Sequence, residues 1–496
     1  MGNTCYIAAI ELSSSKITGV VGIETTEGMR ILATASVPVD GFISKGIVRN
    51  VDKTSGAIND IINMLETDLH NAVQENISIK KAYVSFAGLS VHSIKSKVCR
   101  DFGKYVKITQ EVIDEMECEN LETFQTPNGY KRLQVDPLEY KLDGNVDYNP
   151  IGAYTQAIEC NYLNIVMKEQ FYTQLCDSFA QARIEIEDSF CAAHFDADIL
   201  LSKDLRRNGC ALVNIGAETT TISIYNNDKP KMLTVLPLGS NNITRDLTAE
   251  LIPFAQAEET KFIRGYKSTG TENNEISNET VDKVIYARMG EILKNVLYQI
   301  EESGENIHHV VFTGGGSKLK NIKLLVEEFM PSYSTDIKPE PQFNLISESG
   351  VNVFGVITTA LYGLLKQGKA NCCEETLTVA QQDALQKGVL FFDETEETKP
   401  QEDEKVIEEQ GNDKAAEEER RKAEEEERRR KEEERKAKEE EEKRRKEAED
   451  KKKAKKQKGG GWKIGSLFQE WLTNVTSDPE DENNKEETEA KEDNDQ

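Results

Sequence analysis

No two cysteines in this 496-residue chain are spaced C-x-x-C, and the nine present are scattered. A zinc site or a disulfide framework is therefore not expected, and even the adjacent Cys372 and Cys373 suit neither. A reducing, cytoplasmic setting is the simplest reading. Apolar runs are short, and none reaches the roughly 18 residues that a membrane-spanning helix needs. The opening MGNTCYIAAIELSSSK has no basic region and meets Glu11 early, so no signal peptide is expected. Gly2 would suit N-myristoylation, but Tyr6 stands where that pattern wants Ser or Thr. The histidines, including adjacent His308 and His309, show no metal-ligand spacing. Lys318 follows Ser317 rather than a glycine, which excludes a P-loop. Positive charge is the minority: 62 Lys and Arg against 89 Asp and Glu leave a net −27. Such a chain repels a phosphate backbone, so nucleic acid is not an expected partner.

What is present divides unevenly. Residues 1–372 have an ordinary globular composition and are long enough for a sizeable core. Beyond about Glu374 the chain turns to Glu, Lys and Arg, the mark of segments that do not fold alone. In the first part YIAAIEL, KITGVVGI and ILATASVPV read as successive strands, followed by an amphipathic helix over 51–73 with Ala57, Ile58, Ile61, Ile62 and Leu65 on one side. KKAYVSFAG reads as a further strand, 83–165 as a mixed stretch of short strands, and about 169–183 as a helix. The strand–turn–strand pattern then restarts at NGCALVNIGAETTTISIYNN. A helix over 277–303, a strand–glycine turn–helix over 308–329 and an apolar helix over 353–366 complete the globular part. Two copies of one strand-rich unit predict an internally duplicated α/β fold with a cleft between its halves.

Three turns at strand ends could face that cleft. Ser13, Ser14, Ser15 and Lys16 offer hydroxyls, backbone N–H groups and a cation. Gly216 is followed by Ala217, Glu218, Thr219 and Thr220, and Gly314, Gly315 and Gly316 open a helix expected near Ser317. Backbone N–H groups at such turns point toward anions, and glycine allows a ligand close to the backbone. One such turn is weak evidence; two hairpins followed by a helix-opening glycine run are far more specific.

In that order, the turns resemble those of the actin, sugar-kinase and Hsp70 superfamily, and the chain is most similar to its bacterial FtsA family. That superfamily's first phosphate motif meets Glu11-Leu12-Ser13-Ser14-Ser15-Lys16, its second meets Asn214-Ile215-Gly216-Ala217-Glu218-Thr219-Thr220, and its adenosine motif meets Thr313-Gly314-Gly315-Gly316-Ser317. LPLGSNNITRDL, with Gly239, and AEETK, with Glu258 and Lys261, also fit, as do GIVRNVDKT and PLEYKLDG. The resemblance implies an actin-like (ribonuclease H-like) two-lobed fold: lobe 1 at 1–82 and 166–205, interrupted by an inserted small subdomain at 83–165. Lobe 2 would have its core at 206–240 and a small subdomain at 241–305, with 306–372 supplying more of the lobe 2 core and the closing helix of lobe 1. It also implies ATP with Mg2+, bound by the turn residues with Gly239, Glu258 and Lys261, and Glu11 and Asn214 holding the metal through its waters. Turnover would be weak or absent. Departures are visible: Glu11 is a methylene longer than the family's Asp, Asn214 is uncharged, and Glu218 sets a carboxylate where triphosphate would lie.

Downstream, 373–412 reads as an acidic linker. Residues 413–458 contain no Gly, no Pro and no apolar residue larger than Ala, and have no a/d seam. Their Glu-to-Arg or Lys pairs at i, i+4 are worth roughly 0.2–0.5 kcal/mol each, so a solvated helix of about 70 Å or a disordered tether both fit. In 459–476 the residues Trp462, Ile464, Leu467, Phe468, Trp471, Leu472 and Val475 form one apolar stripe behind the basic run 451–458. That pattern reads as an amphipathic helix lying in an anionic membrane surface, with a disordered acidic tail at 477–496. The resemblance implies the rest: a polymerising adaptor that tethers the tubulin-like protein FtsZ, docked around 241–305, to the cytoplasmic face of the inner membrane at the division septum, with other division proteins as further partners. A nucleotide-free scaffold with the same tether, or a sugar kinase on the same fold, would be the alternatives; the kinase gives no reason for the tail.

Overall fold

Two five-strand patterns repeat one topology. In a computed structural model, which describes residues 4–74, 76–249, 252–267, 277–339, 342–348 and 350–375, the first pattern begins with β1 (Ile7–Leu12), β2 (Lys16–Thr25) and β3 (Gly28–Pro38). A small hairpin, β4 (Ile43–Ser44) and β5 (Ile47–Val48), leads into α1 (Val51–Val73). After β6 (Ile77–Ile79), strand β7 (Lys81–Phe86) lies parallel to β1. An insertion of β8 (His92–Lys107), α2 (Gln110–Thr123), β9 (Tyr130–Leu142), β10 (Asn145–Asp147) and β11 (Tyr154–Lys168) follows. The pattern resumes with α3 (Glu169–Gln181) and β12 (Glu185–Cys191).

Helices α4 (Ala192–Leu200) and α5 (Lys203–Asn208) carry the chain to the second half. There β13 (Cys210–Ile215), β14 (Thr220–Asn226) and β15 (Lys229–Leu236) precede α6 (Asn241–Thr248), α7 (Phe254–Arg264) and α8 (Asn278–Glu302). Strand β16 (His309–Thr313), a 3-10 turn (Gly315–Lys318), α9 (Ile322–Phe329) and β17 (Ser334–Ile337) follow. The chain then returns to the first half through β18 (Leu345–Ser347), α10 (Thr359–Gln367) and β19 (Cys373–Glu375).

The sheet orders are β3-β2-β1-β7-β12 in the first lobe, extended by β18, and β15-β14-β13-β16-β17 in the second. In both, the first three strands are antiparallel neighbours and the last two are parallel to the first. Local chemistry explains the elements. Helix α1 starts because the Asn50 side chain accepts from the Lys53 N–H at 2.9 Å, and it stops where Gln74 turns left-handed at φ 59°. Ile58, Ile61, Ile62 and Leu65 bury against the sheet. Gly19 on β2 makes the close fit possible, since a Cβ there would sit 2.7 Å from Ile61.

The inserted subdomain departs from expectation. Its sheet, β10-β9-β11-β8, has three long strands beside the short β10, and α2 packs on it around Val98, Ile113, Met116 and Tyr162. Only one side of β8 is apolar, so its Ser, Lys and Arg positions resemble loop residues in sequence. Both ends expected for the insertion, 83 and 165, fall inside strands: β7 runs to Phe86 in the first sheet and β11 runs to Lys168. The insertion also grips the second lobe. Ser93 Oγ accepts from the Leu233 N–H at 2.8 Å, and Lys231 of β15 meets Glu139 at 3.5 Å.

The helix expected over 353–366 begins only at Thr359; Gly355, at φ +71°, turns the chain before it. The helix expected at Ser317 is a single 3-10 turn, and α9 starts at Ile322. The nine cysteines are all free thiols. Among the described residues no helix is long and apolar enough to cross a membrane. The acidic linker beyond Glu375, the tether at 413–458 and the stripe of Trp462, Ile464, Leu467, Phe468, Trp471, Leu472 and Val475 lie outside the described residues.

Candidate functional site

The duplicated topology places the first two turns at equivalent positions, β1 to β2 and β13 to β14. Each is closed by the same backbone bond: Ser13 N–H to Lys16 O at 3.1 Å, and Gly216 N–H to Thr219 O at 2.8 Å. The start of α6 is stapled to the second turn by Ser240 N–H to Gly216 O (3.0 Å) and Asn241 N–H to Ala217 O (2.7 Å). Gly239 is required there, because a Cβ would fall 2.4 Å from Ala217 O. Thr220, fully buried, donates to Leu238 O at 2.8 Å and fixes the other side of the turn.

The glycine run divides its labour. Gly314 has φ +86°, and a Cβ would lie 2.2 Å from Asn214 Oδ1, so only glycine fits. Gly316 packs on Ile215 in the same way. A Cβ on Gly315 would meet nothing within 4 Å, so this residue alone of the three faces open space. Ser317 Oγ donates back to Gly314 O at 2.7 Å and holds the turn. Lys318, the next residue, lies close enough to Lys16 to disfavour the latter's charge.

Beneath these turns lies an acid pair, half-buried Glu11 and buried Asp196, that the sequence reading half missed. Glu11, at the end of β1, accepts from Thr358 Oγ1; Asp196, on α4, accepts from Thr359 Oγ1 and from Asn214 Nδ2, the latter at 2.7 Å. Burial pushes the Glu11 carboxyl up, the Thr358 hydrogen bond opposes this, and the Asp196 charge adds to it. Burial also raises Asp196, against the two hydrogen bonds it accepts. The late start of α10 puts Thr358 and Thr359 at its N-terminus, where they and the helix dipole face both acids. Gly363 lets α10 lie against α4, since a Cβ there would strike Phe195 at 2.2 Å. Burial lowers the Lys16 ammonium, Glu11 pulls it back up, and its Nζ donates to Gly355 O at 2.6 Å.

Asp196 carried a weak sequence signal: with Asp198 it is one of two acids in the otherwise apolar FDADIL. Thr358 and Thr359 carried none. Asn214, expected among the metal-holding residues, spends its amide on Asp196; the second carboxylate beside Glu11 is therefore Asp196. Two adjacent carboxylates whose pKa values are raised suit a cation, which would favour their charged forms. Among the described residues no group of three or more His, Cys, Asp or Glu is arranged to hold a metal ion directly.

Lys261 and Glu258 flank the second turn from α7. The Lys261 ammonium is buried and donates to Glu258 at 2.7 Å, Thr244 Oγ1 at 2.9 Å and Ser240 O at 3.3 Å, so its three protons are all directed. Burial lowers its pKa while Glu258 pulls it back up. Glu218, expected opposite the phosphates, turns to Ser44 Oγ (2.9 Å), the Lys45 N–H (2.7 Å) and the Arg245 guanidinium.

Residues 211–352, which hold the second and third turns, match the family model described as cell division protein FtsA. A relative described as cell division protein FtsA, from Porphyromonas gingivalis (strain ATCC BAA-308 / W83), is 30% identical over 329 residues, covering 61% of this chain and 65% of that protein. Over this region the chain is similar to FtsA proteins. The FtsA of Neisseria meningitidis serogroup B (strain ATCC BAA-335 / MC58) is 24% identical over 317 residues, 60% of this chain and 74% of that one. The match thus spans just under two thirds of the Porphyromonas FtsA. Among solved structures, the PilM-PilN type IV pilus biogenesis complex aligns with a TM-score of 0.51 at 14% identity, over 73% of this chain and 98% of that one. Its likeness concerns the fold, and the duplicated sheets are the actin-like fold that the resemblance implied.

Proposed function

We propose that this chain is a cell-division adaptor whose actin-like body binds ATP with Mg2+, self-associates, and tethers FtsZ to the cytoplasmic face of the inner membrane at the septum. The carrying observation is the FtsA match over 211–352, which contains two of the three cleft turns. FtsZ would dock on the subdomain around 241–305. Adenosine would approach at Gly315, the one glycine of its run with open space beside it, next to Gly316, Ser317, Glu258 and Lys261. Phosphates would meet the N–H groups and hydroxyls of Ser13–Lys16 and Gly216–Thr220, and Glu11 and Asp196 would hold the magnesium waters. The metal would supply positive charge against phosphate; the residues bind and orient, and none is assigned as a catalytic base. The stripe from Trp462 to Val475 would lie in the membrane surface, its grip multiplied when self-association arrays many copies.

Titration of the full chain with a fluorescent ATP and magnesium tests the cleft. Wild type should saturate and Gly315→Asp should not bind, because its carboxylate enters the open space; equal affinity removes the site. Vesicle flotation tests the tail. Phe468→Glu with Trp471→Glu should release the chain from anionic vesicles at all salt concentrations, while wild type weakens in high salt without letting go. A second reading, a nucleotide-free scaffold with the same tether, is favoured by one observation: Lys16, Asn214, Glu218 and Lys261 all spend polar groups on the protein itself. Absence of ATP binding by wild type would select it.

A further inference from the structure

We propose that Glu218 is a built-in anion that clasps the two lobes together across the mouth of the cleft, doing in the ligand-free chain what a bound phosphate would otherwise do. The side chain projects from the second-lobe turn and is only 12% exposed. One carboxylate oxygen accepts from Ser44 Oγ at 2.9 Å and from the Lys45 N–H at 2.7 Å, both in the β4–β5 hairpin of the first lobe. The other oxygen pairs with Arg245 of α6, in the second lobe, whose guanidinium aims the carboxylate.

The receiving hairpin is itself fixed. Gly46 N–H donates to Ser14 Oγ of the first turn at 2.8 Å, Leu89 N–H donates to Lys45 O at 2.9 Å, and Gly46 packs on Gly88 so closely that a Cβ would sit 2.6 Å away. Lys45 adopts φ 52°, a left-handed conformation that L side chains seldom take and that is part of the turn presenting its N–H. A hydroxyl, a backbone N–H and a guanidinium converging on two oxygens make a receptor of the kind that recognises phosphate. Here a glutamate from the facing lobe fills it. The turns of both lobes are thereby joined through Glu218, the hairpin and Ser14, and a phosphate-bearing ligand reaching these donors has to displace a carboxylate. The clasp belongs to the ligand-free chain, whether or not the cleft also takes a nucleotide.

Single-molecule energy transfer in the full-length chain tests it, with dyes on unnatural amino acids at the exposed positions 27 in the first lobe and 259 in the second. Without ligand, wild type should give one narrow high-transfer population. Glu218→Ala should shift it to lower transfer. Hydrogen exchange at the Lys45 amide should rise at least about tenfold, as expected for loss of a bond to a charged acceptor. Glu218→Gln keeps an acceptor for Ser44 and Lys45 but loses the pairing with Arg245, and should fall between the two; it also preserves the readout if the alanine variant folds poorly. Pyrophosphate, offering charge to the vacated donors, should restore high transfer in Glu218→Ala. Transfer in both variants equal to wild type, with faster Lys45 exchange, would reduce Glu218 to a local cap and overturn the clasp. Opening without pyrophosphate rescue would overturn the anion-receptor assignment.

Discussion

Replacing Asn214 by Asp tests whether Asp196 is ionised. Asn214 Nδ2 donates to Asp196 Oδ2 at 2.7 Å, in a site where Asp196 is 4% exposed. Asn214→Asp removes the donor and sets a second carboxylate at that distance. Two charges so placed repel by about 6 kcal/mol at an effective dielectric of 20. The pair can escape by taking up a proton: keeping one carboxyl protonated at pH 7 against an ordinary value near 4 costs about 4 kcal/mol. The cheaper route sets the expected loss of stability, about 4 kcal/mol at pH 7. A carboxyl with a raised folded-state pKa destabilises only above its unfolded value, so the loss should shrink as pH falls, to about 2 kcal/mol at pH 5.5. Urea unfolding followed by far-UV circular dichroism is the assay, since both tryptophans, Trp462 and Trp471, lie outside the described residues. A variant as stable as wild type, with no dependence on pH between 5.5 and 7, would mean Asp196 already carries a proton, and its ionised form would have to be abandoned.

Gly314→Ala should cost at least about 1–3 kcal/mol through its positive φ and its clash with Asn214, whereas Gly315→Ala, with open space at its Cβ, should melt like wild type. Thermal melts of the two side by side check this. His194 on α4 meets Asp136 of the insertion at 3.0 Å. Burial pushes its imidazole down, but the hydrogen bond to Asp136, with the nearby Cys191 and the Asp136 charge adding to it, outweighs this and lifts the pKa to about 10. The stabilisation is complete below the unfolded value near 6.5 and fades as pH rises through the folded one, by at most about 1.4 kcal/mol per pH unit. Asp136→Asn should be less stable at pH 7 and should lose that alkaline slope in urea titrations; an unchanged slope would place its origin elsewhere.

The duplicated strands, α1 and the three turns were legible because each rests on local pattern: apolar runs with turn residues between them, a 3.6-residue stripe behind Asn50, and glycines where the backbone needs them. The insertion was harder, because β8 and β9 pack on one side only and their polar positions read as loop. Buried polar contacts were least accessible. Glu11 finds Thr358, Asp196 finds Asn214 and Thr359, and Glu218 finds Ser44 across 174 positions of sequence, pairings that only the folded chain brings together. The expectation that Glu218 faces phosphate followed from its place in the turn; its rotation toward the hairpin depends on Arg245, which no spacing rule singles out.

The grip of the insertion on β15 has a mechanical meaning. Ser93 and Leu233 join the base of β8 to the second lobe, while β7 and β12 on either side of the insertion belong to the first. Any change in the angle between the lobes must therefore shear that joint or swing the insertion. Its longest strand has 16 residues, an arm of up to about 50 Å at 3.3 Å per residue. A rotation of one degree at the base would carry the far end through roughly 0.9 Å, by the same dimensions. A small swing at that joint would thus be geared to larger travel at the exposed Tyr105, Ile151 and Tyr154.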